Sequence, residues 1–325
     1  MIYSIRHLTR FRYEEPVSES LMETRMHPRT EGVQRCLSFQ LALDPRTRVH
    51  SYRDYLGNTV DHFDVPGHHK ELRILATSLV ELQPPPEVPE HLGWGGWNQD
   101  AWNELDAMVA AGDYWEMLMP SHFVEPSEGL LSLVEPLGAT RREDPIAFLR
   151  QLNAAVFSWF DYVPKSTQVD SPIQHAIETR KGVCQDFAHI MIALVRYVKI
   201  PCRYVSGYMY HGEDRSDRSV DGATHAWLEA LVPGFGWVGF DPTNNLVAGE
   251  RHVRTAIGRD YADVPPTKGI FKGDAASELT VTVRVSPSGA PPPPEMELIA
   301  APEWQTPNAT LQEDQIRQEQ QQQQQ

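Results

Sequence analysis

The sequence predicts an α+β fold, with an antiparallel β domain ahead of a core in which one buried helix lies on strands. Three observations carry that expectation. Residues 1–82 alternate apolar and polar side chains at the two-residue period of half-buried strands. A proline-rich run, Gln83-Pro84-Pro85-Pro86-Glu87-Val88-Pro89, then punctuates the chain, and the period beyond it becomes helical. Finally, one helical pattern stops at Gly182 and another opens at Cys184, with Phe187, Ile190, Met191, Leu194, Val195 and Val198 at the spacing of a buried amphipathic helix.

In chain order, Tyr3 to His7, Phe11 to Tyr13 and Leu37 to Leu41 read as short strands. Leu56 to Val60 is a tight turn feeding a strand at His62 to Val65, and Glu71 to Leu82 is a further strand. His68 and His69 follow a Pro-Gly pair and read as a solvated loop. Residues 83–140 form a linker and helical segment, where Trp102, Leu105, Met108 and Val109 share a helical face. Trp94, Trp97 and Trp102 either cover a core or line a substrate cleft. A core unit is expected over residues 141–285. Asp144-Pro145 opens it as a cap with proline at the first helical position, ahead of Phe148, Leu149, Leu152, Val156 and Trp159. Ser171-Pro172 repeats that signal for a short helix through Lys181, which Gly182 stops. Arg203 to Tyr210, Thr224 to Leu231 and Gly236 to Phe240 are strand-like, the last two joined by the hairpin signal Pro233-Gly234-Phe235-Gly236. Leu279 to Val285 closes the unit as a final strand. Residues 286–325 are proline- and glutamine-rich and expected to be disordered.

A chain of 325 residues with 41% apolar side chains has material for more than one core. Its formal net charge of −15 lacks the basic footprint that a nucleic acid or an anionic membrane would require. The N-terminus carries no apolar leader, and no stretch approaches the length of a membrane span. Cys36, Cys184 and Cys202 are too few and too scattered for a disulfide framework. A cytoplasmic protein needing no cofactor is the expectation, and the β domain and long loops leave room for a homo-oligomer.

Cys184 falls in the first turn of its helix, where unpaired backbone N–H groups and the positive end of the dipole favour an anion such as a thiolate. A nucleophilic cysteine needs a histidine to take its proton and a third group to orient that histidine. His225 lies on a predicted strand and shares a face with Trp227 and Glu229, while Asp241 ends the next strand. A hairpin pivoting near Pro233 would set His225 directly against Asp241, whereas a one-residue slip would turn Asp241 to the far face. Periodicity does not choose between them. Taken singly, Cys184 is an ordinary small core residue, His225 a strand histidine, and Asp241 a turn residue before Pro242.

The segments Gly182-Val183-Cys184-Gln185-Asp186-Phe187-Ala188, Thr224-His225-Ala226-Trp227 and Gly236-Trp237-Val238-Gly239-Phe240-Asp241-Pro242-Thr243-Asn244 resemble, in that order, the core of the bacterial transglutaminase-like superfamily. Arg203 to Tyr208 and Phe160-Asp161-Tyr162 are similar to the same family, and the β-rich start resembles the domain that often precedes this core. The resemblance implies a papain-like core with a Cys184–His225–Asp241 triad acting on a peptide or protein amide. By that likeness Cys184 attacks the carbonyl, His225 shuttles the proton, and Asp241 holds the imidazole tautomer. The thioester then passes to water or to an amine. The Cys184 backbone N–H would stabilise the oxyanion, with Tyr162 as a second donor.

Gln185, Asp186 and Trp227 are expected to support this site from around it, and His189, Cys36 and Cys202 to be structural. Residues 211–222 form a charged loop, either solvated or a flap over the cleft. Two other functions stay open. One is a catalytically silent binding or scaffold protein that retains the fold. The other is a metal site of Cys184, His225 and Asp241, ligands that zinc accepts but at none of the usual paired spacings, so no metal is expected. The chain has no recognisable EF-hand-like calcium loop.

Overall fold

Two antiparallel sheets and a helical layer are seen in a computed structural model that describes residues 1–92, 99–112, 114–142, 144–167, 169–212 and 217–288. The N-terminal alternation is realised as long strands. β1 (Ile2–Thr24) and β4 (Thr59–Leu82) pair along most of their lengths, flanked by β2 (Gln34–Asp44) and β3 (Val49–Arg53) on β4. The Pro66-Gly67 step lies inside β4 beside a shift in register with β1, so it is a bulge and not a turn. His69 is accordingly buried, with Nε2 2.8 Å from Ser20 Oγ, which corrects its reading as a solvated loop residue.

The helical layer comprises α1 (Gln99–Ala111), α2 (Glu128–Ser132) and α3 (Pro145–Trp159). Trp102, Leu105 and Leu130 share one core with Phe148, Leu149 and Leu152, so the helices within residues 83–140 belong to the core and are no linker. Trp102 is fully buried beneath the Arg141 guanidinium, 4.5 Å above its ring, and is core cover. Asp144 caps α3 as expected, accepting from the backbone of Ile146 and Ala147 at 3.0 and 3.1 Å. Such a cap contributes about 1 kcal/mol.

After β5 (Asp161–Tyr162), α4 (Ile173–Thr179) ends sooner than its expected stop at Gly182. Arg180 takes the left-handed turn at φ 55°, which frees Lys181 and Gly182 to form β6 (Lys181–Gly182) alongside β5. α5 (Cys184–Tyr197) is buried from Cys184 through Arg196. It lies on a sheet of β7 (Cys202–Met209), β8 (His225–Val232), β9 (Gly236–Asp241), β10 (Leu246–Val247) and β11 (His252–Gly258), in the order β10-β9-β8-β7-β11. Ala226, Leu228, Ala230 and Phe240 join the core formed with α5. Trp227 and Glu229 lie on the opposite face, toward the N-terminal domain.

The chain then returns to its beginning. β13 (Ser277–Pro287) pairs with residues 3–13 of β1, and β12 (Thr267–Lys272) pairs with residues 19–24. Leu279 to Val285 therefore completes the N-terminal sheet instead of closing the core, and the expected 141–285 unit loses its last strands to the first domain. Tyr3, Ile5, Val80 and Leu82 share a core with Tyr208 and Val253, so the two sheets are packed together. Among the described residues no helix is long and apolar enough to cross a membrane. Trp94 and Trp97, residues 213–216 of the charged loop and the tail from 289 lie outside the described residues.

Candidate active site

The turn before α5 is held from several directions. The Val183 N–H donates to Asp186 Oδ2 at 2.8 Å, and the Thr167 hydroxyl donates to the same oxygen at 2.5 Å. Burial pushes the Asp186 carboxyl up to about 6 against the opposing pull of those hydrogen bonds. A side chain at Gly182 would stand 2.9 Å from Asp186 Cβ and 3.0 Å from the Phe187 ring, so only glycine lets the chain pass this close to the helix. Gln185 Nε2 donates to the Val169 carbonyl at 2.8 Å and ties down the preceding loop. Both residues support the helix start. Cys184 is its first residue and is 2% exposed. Its N–H has no carbonyl four residues back within the helix.

His225 opens β8 opposite Gly207 of β7. A Cβ on Gly207 would approach the Val253 carbonyl to 2.1 Å and the Trp227 ring to 2.7 Å, and its absence lets the indole lie across the strand. Trp227 is thereby stacked near His225, with centroids 5.9 Å apart, and meets His252 edge-on at 5.2 Å. The β8–β9 pairing places Leu228 against Phe240 and Val232 against Gly236, so it pivots at Gly234. Continued outward, it sets Asp241 opposite Trp227, correcting the expected direct pairing with His225. The displacement is two residues, an even number, so Asp241 keeps the face of His225.

The two side chains meet on that diagonal. His225 Nε2 lies 2.8 Å from Asp241 Oδ2, and among the described residues His225 Nδ1 meets no nitrogen or oxygen partner. Asp241 is fully buried. Its Oδ1 accepts from the Thr243 and Asn244 backbone at 3.0 and 3.2 Å. Its Oδ2 also accepts from Asn244 Nδ2 at 2.8 Å and lies 3.2 Å from His252 Nε2. Burial would raise the Asp241 carboxyl, but charge and hydrogen bonds from His225 and His252 hold it well below the carboxylate range. Burial would lower His225, yet Asp241 and then the Cys184 thiol outweigh it and hold the imidazole above its ordinary value. Cys184, His225 and Asp241 thus act on one another as a connected set.

The expected supporting residues separate. Trp227 packs on His225. Tyr162 sits in β5 beside Gly182, with its ring edge-on to Phe187 at 6.4 Å, which puts it next to the turn that leads to Cys184. His189 accepts from the Tyr261 N–H at 3.2 Å, and burial lowers it to about 3, as befits a neutral structural imidazole. The described part of the charged loop is anchored to the site's own turn. Arg218 and Ser219 donate backbone N–H groups to Asn244 Oδ1 at 2.8 and 3.0 Å, which also fixes the orientation of that amide. Asn244 and His252 were missed as site residues. Asn244 stood inside a quoted motif, and His252 opens a strand whose Val253 and Ile257 spacing was a legible signal. His225, Asp241 and His252 bring three potential ligand atoms within 4.8 Å of one another, a cluster able to hold a metal ion, and Cys184 is not a member.

A buried helix-start cysteine beside a strand histidine bound to an aspartate, on an antiparallel sheet, defines the transglutaminase-like class. The bacterial transglutaminase-like N-terminal region matches residues 3–81 and the transglutaminase-like superfamily core matches residues 136–242. An uncharacterized protein of Mycobacterium leprae is 32% identical over 286 residues, covering 86% of this chain and 96% of its own. One from Mycobacterium tuberculosis is 32% identical over 296 residues, covering 88% and 92%. A protein-glutamine gamma-glutamyltransferase of Pseudomonas aeruginosa is 32% identical over 135 residues, 39% of this chain and 20% of that protein. A crystal structure from Cytophaga hutchinsonii, described as a candidate cysteine protease, has the same fold, with a TM-score of 0.66, 21% identity, and coverage of 90% of this chain and 93% of its own. The chain belongs to the transglutaminase-like superfamily.

Proposed function

We propose that the protein is a cysteine-dependent enzyme that cleaves or transfers an acyl group at a peptide or protein amide, through a thioester on Cys184. The observation that carries this reading is the occupation of the His225 ring. Its Nε2 is committed to Asp241, which leaves Nδ1 as the nitrogen to exchange a proton with the thiol. Cys184 Sγ attacks the amide carbon, and its proton passes by way of His225 Nδ1 to the leaving amine as the C–N bond breaks. Water or a primary amine then gives a proton to His225 and takes the acyl group, releasing the thiol. Asp241 stabilises the imidazolium at each stage. The Cys184 N–H at the helix start is the first oxyanion donor, and Tyr162 is proposed as the second.

Ammonia release from glutaminyl peptides, with and without a primary amine, tests the reaction. Release that depends on Cys184 supports the assignment, and incorporation of the amine selects transfer over hydrolysis. The second reading is the silent scaffold, which the 2% exposure of Cys184 favours because a substrate carbonyl must reach the thiol. No modification of Cys184 by iodoacetamide in the folded protein would decide for it.

A further inference from the structure

Asp241 is held from two sides, and only one of them is His225. On the far side stands His252, which comes from β11, three strands from β9 in the sheet order, and is buried. Its Nε2 lies 3.2 Å from Asp241 Oδ2, while the Gly249 N–H points at its Nδ1 from 3.3 Å. A backbone N–H can only donate, so Nδ1 must be the ring's lone-pair atom. In the neutral ring the proton then sits on Nε2, aimed at the carboxylate. Burial, together with the charges of His225 and Arg251, keeps this imidazole below its ordinary value despite the pull of Asp241, in keeping with a neutral donor.

We propose that His252 is a positioning residue of the site, a neutral Nε2–H donor that holds Asp241 in the orientation in which it receives His225. The proposal rests on the catalytic reading above for its consequence, but the tautomer stands on geometry alone. It also decides against a resident metal among His225, Asp241 and His252. Ligation needs the Nε2 lone pair of His252, which would put the proton on Nδ1 and turn it against the Gly249 N–H. Oδ2 accepts from His225, Asn244 and His252 together, and removing the His252 donor unbalances the pull on that oxygen and shifts it toward the other two, while Oδ1 stays on the Thr243 and Asn244 N–H groups. Trp227 stands against both imidazoles and packs them in place.

The test is nitrogen-15 NMR of the histidine rings in the folded full-length chain, with His252→Leu and His252→Gln as variants. The expected result is a neutral His252 in the Nε2–H form between pH 6 and 8. An Nδ1–H tautomer, or a cationic ring in that range, overturns the proposal. The His225 Nε2–H proton resonance should shift in His252→Leu and move back toward the parent position in His252→Gln, whose side-chain amide restores a donor. Iodoacetamide modification of Cys184 should slow at least tenfold in His252→Leu, and His252→Gln should recover at least half of that loss on a logarithmic scale. An unmoved His225 resonance in His252→Leu overturns the proposal, as does a parental rate where the parent reacts. If the parent thiol is unreactive, the catalytic reading fails, while the tautomer and the His225 resonance still decide the role of His252.

Discussion

Asp241 receives the Nε2 of His225 at 2.8 Å from the position opposite Trp227, two residues short of the point opposite His225, a diagonal contact and not a cross-strand one. The contact selects the tautomer that leaves Nδ1 toward the thiol. In Asp241→Asn the amide can donate to Nε2, which would move the ring proton to Nδ1 and block the base. The expected loss is roughly 10²–10⁴-fold in any Cys184-dependent rate, with the fold retained by circular dichroism. A variant that keeps the parental rate would remove Asp241 from the mechanism.

The buried histidines set the acid limb of stability. His7 lies between the Tyr208 hydroxyl at 2.9 Å and the Thr9 hydroxyl at 3.2 Å, and burial lowers both His7 and His189 to about 3. Their folded values lie below the unfolded one near 6.5. The unfolded chain therefore binds more protons in that interval, and their contribution is full above pH 6.5 and is lost as pH falls toward 3. The limiting slope is about 1.4 kcal/mol per pH unit for each histidine. Asp186, raised to about 6, works the other way, since its contribution is full below the unfolded value and fades as pH rises through 6. His225 is also raised, so its share is full below pH 6.5 and fades at higher pH. Urea midpoints should thus fall steadily from pH 6.5 to 4.5, and His7→Gln should flatten that fall. An unchanged slope in His7→Gln would show that His7 is not the group being protonated.

Much of this site was legible because its residues sit at element starts and ends. Gly182 and the apolar spacing after it announced Cys184, and Asp144-Pro145 announced α3, since caps and breakers act locally. The β8–β9 register was not legible, because the turn Pro233-Gly234-Phe235-Gly236 admits more than one pivot and side-chain parity is the same for both. The domain boundary failed for a different reason. Leu279 to Val285 alternates like any half-buried strand, and nothing local says that its partner is β1, at the other end of the chain. The Val253 and Ile257 spacing marks the strand of His252, but the pairing with β7 that brings it toward Asp241 is long-range and not written there.

Gly207 is the narrowest point in that arrangement. A methyl group there would meet the Val253 carbonyl at 2.1 Å, and backbone cannot move aside as a flexible side chain can. Gly207→Ala should lower stability by about 2–4 kcal/mol, by splaying β7 from β11 and displacing Trp227. Gly182→Ala should cost less, because its nearest contacts at 2.9–3.0 Å are side-chain atoms of Asp186 and Phe187. Chemical denaturation of the two variants gives the order directly, and Gly182→Ala proving the more damaging would reverse the packing argument.

The three cysteines offer a direct separation of chemistry from packing. Burial pushes Cys202 up to about 11 even though Arg196 opposes it, and Cys36 likewise to about 11 against a backbone hydrogen bond from Ser38. At pH 7.5 both are therefore almost wholly protonated and slow to alkylate. Cys184 has a histidine acting on it that neither of the others possesses. Brief exposure of the folded protein to iodoacetamide should therefore add a single label, at Cys184, and Cys184→Ala should take up none on the same timescale. His225→Ala should slow that labelling at least tenfold while leaving Cys36 and Cys202 as they were. Labelling first at the partly exposed Cys36 would mean that access, and not the His225 partnership, governs thiol reactivity here, and the nucleophile assignment would have to be given up.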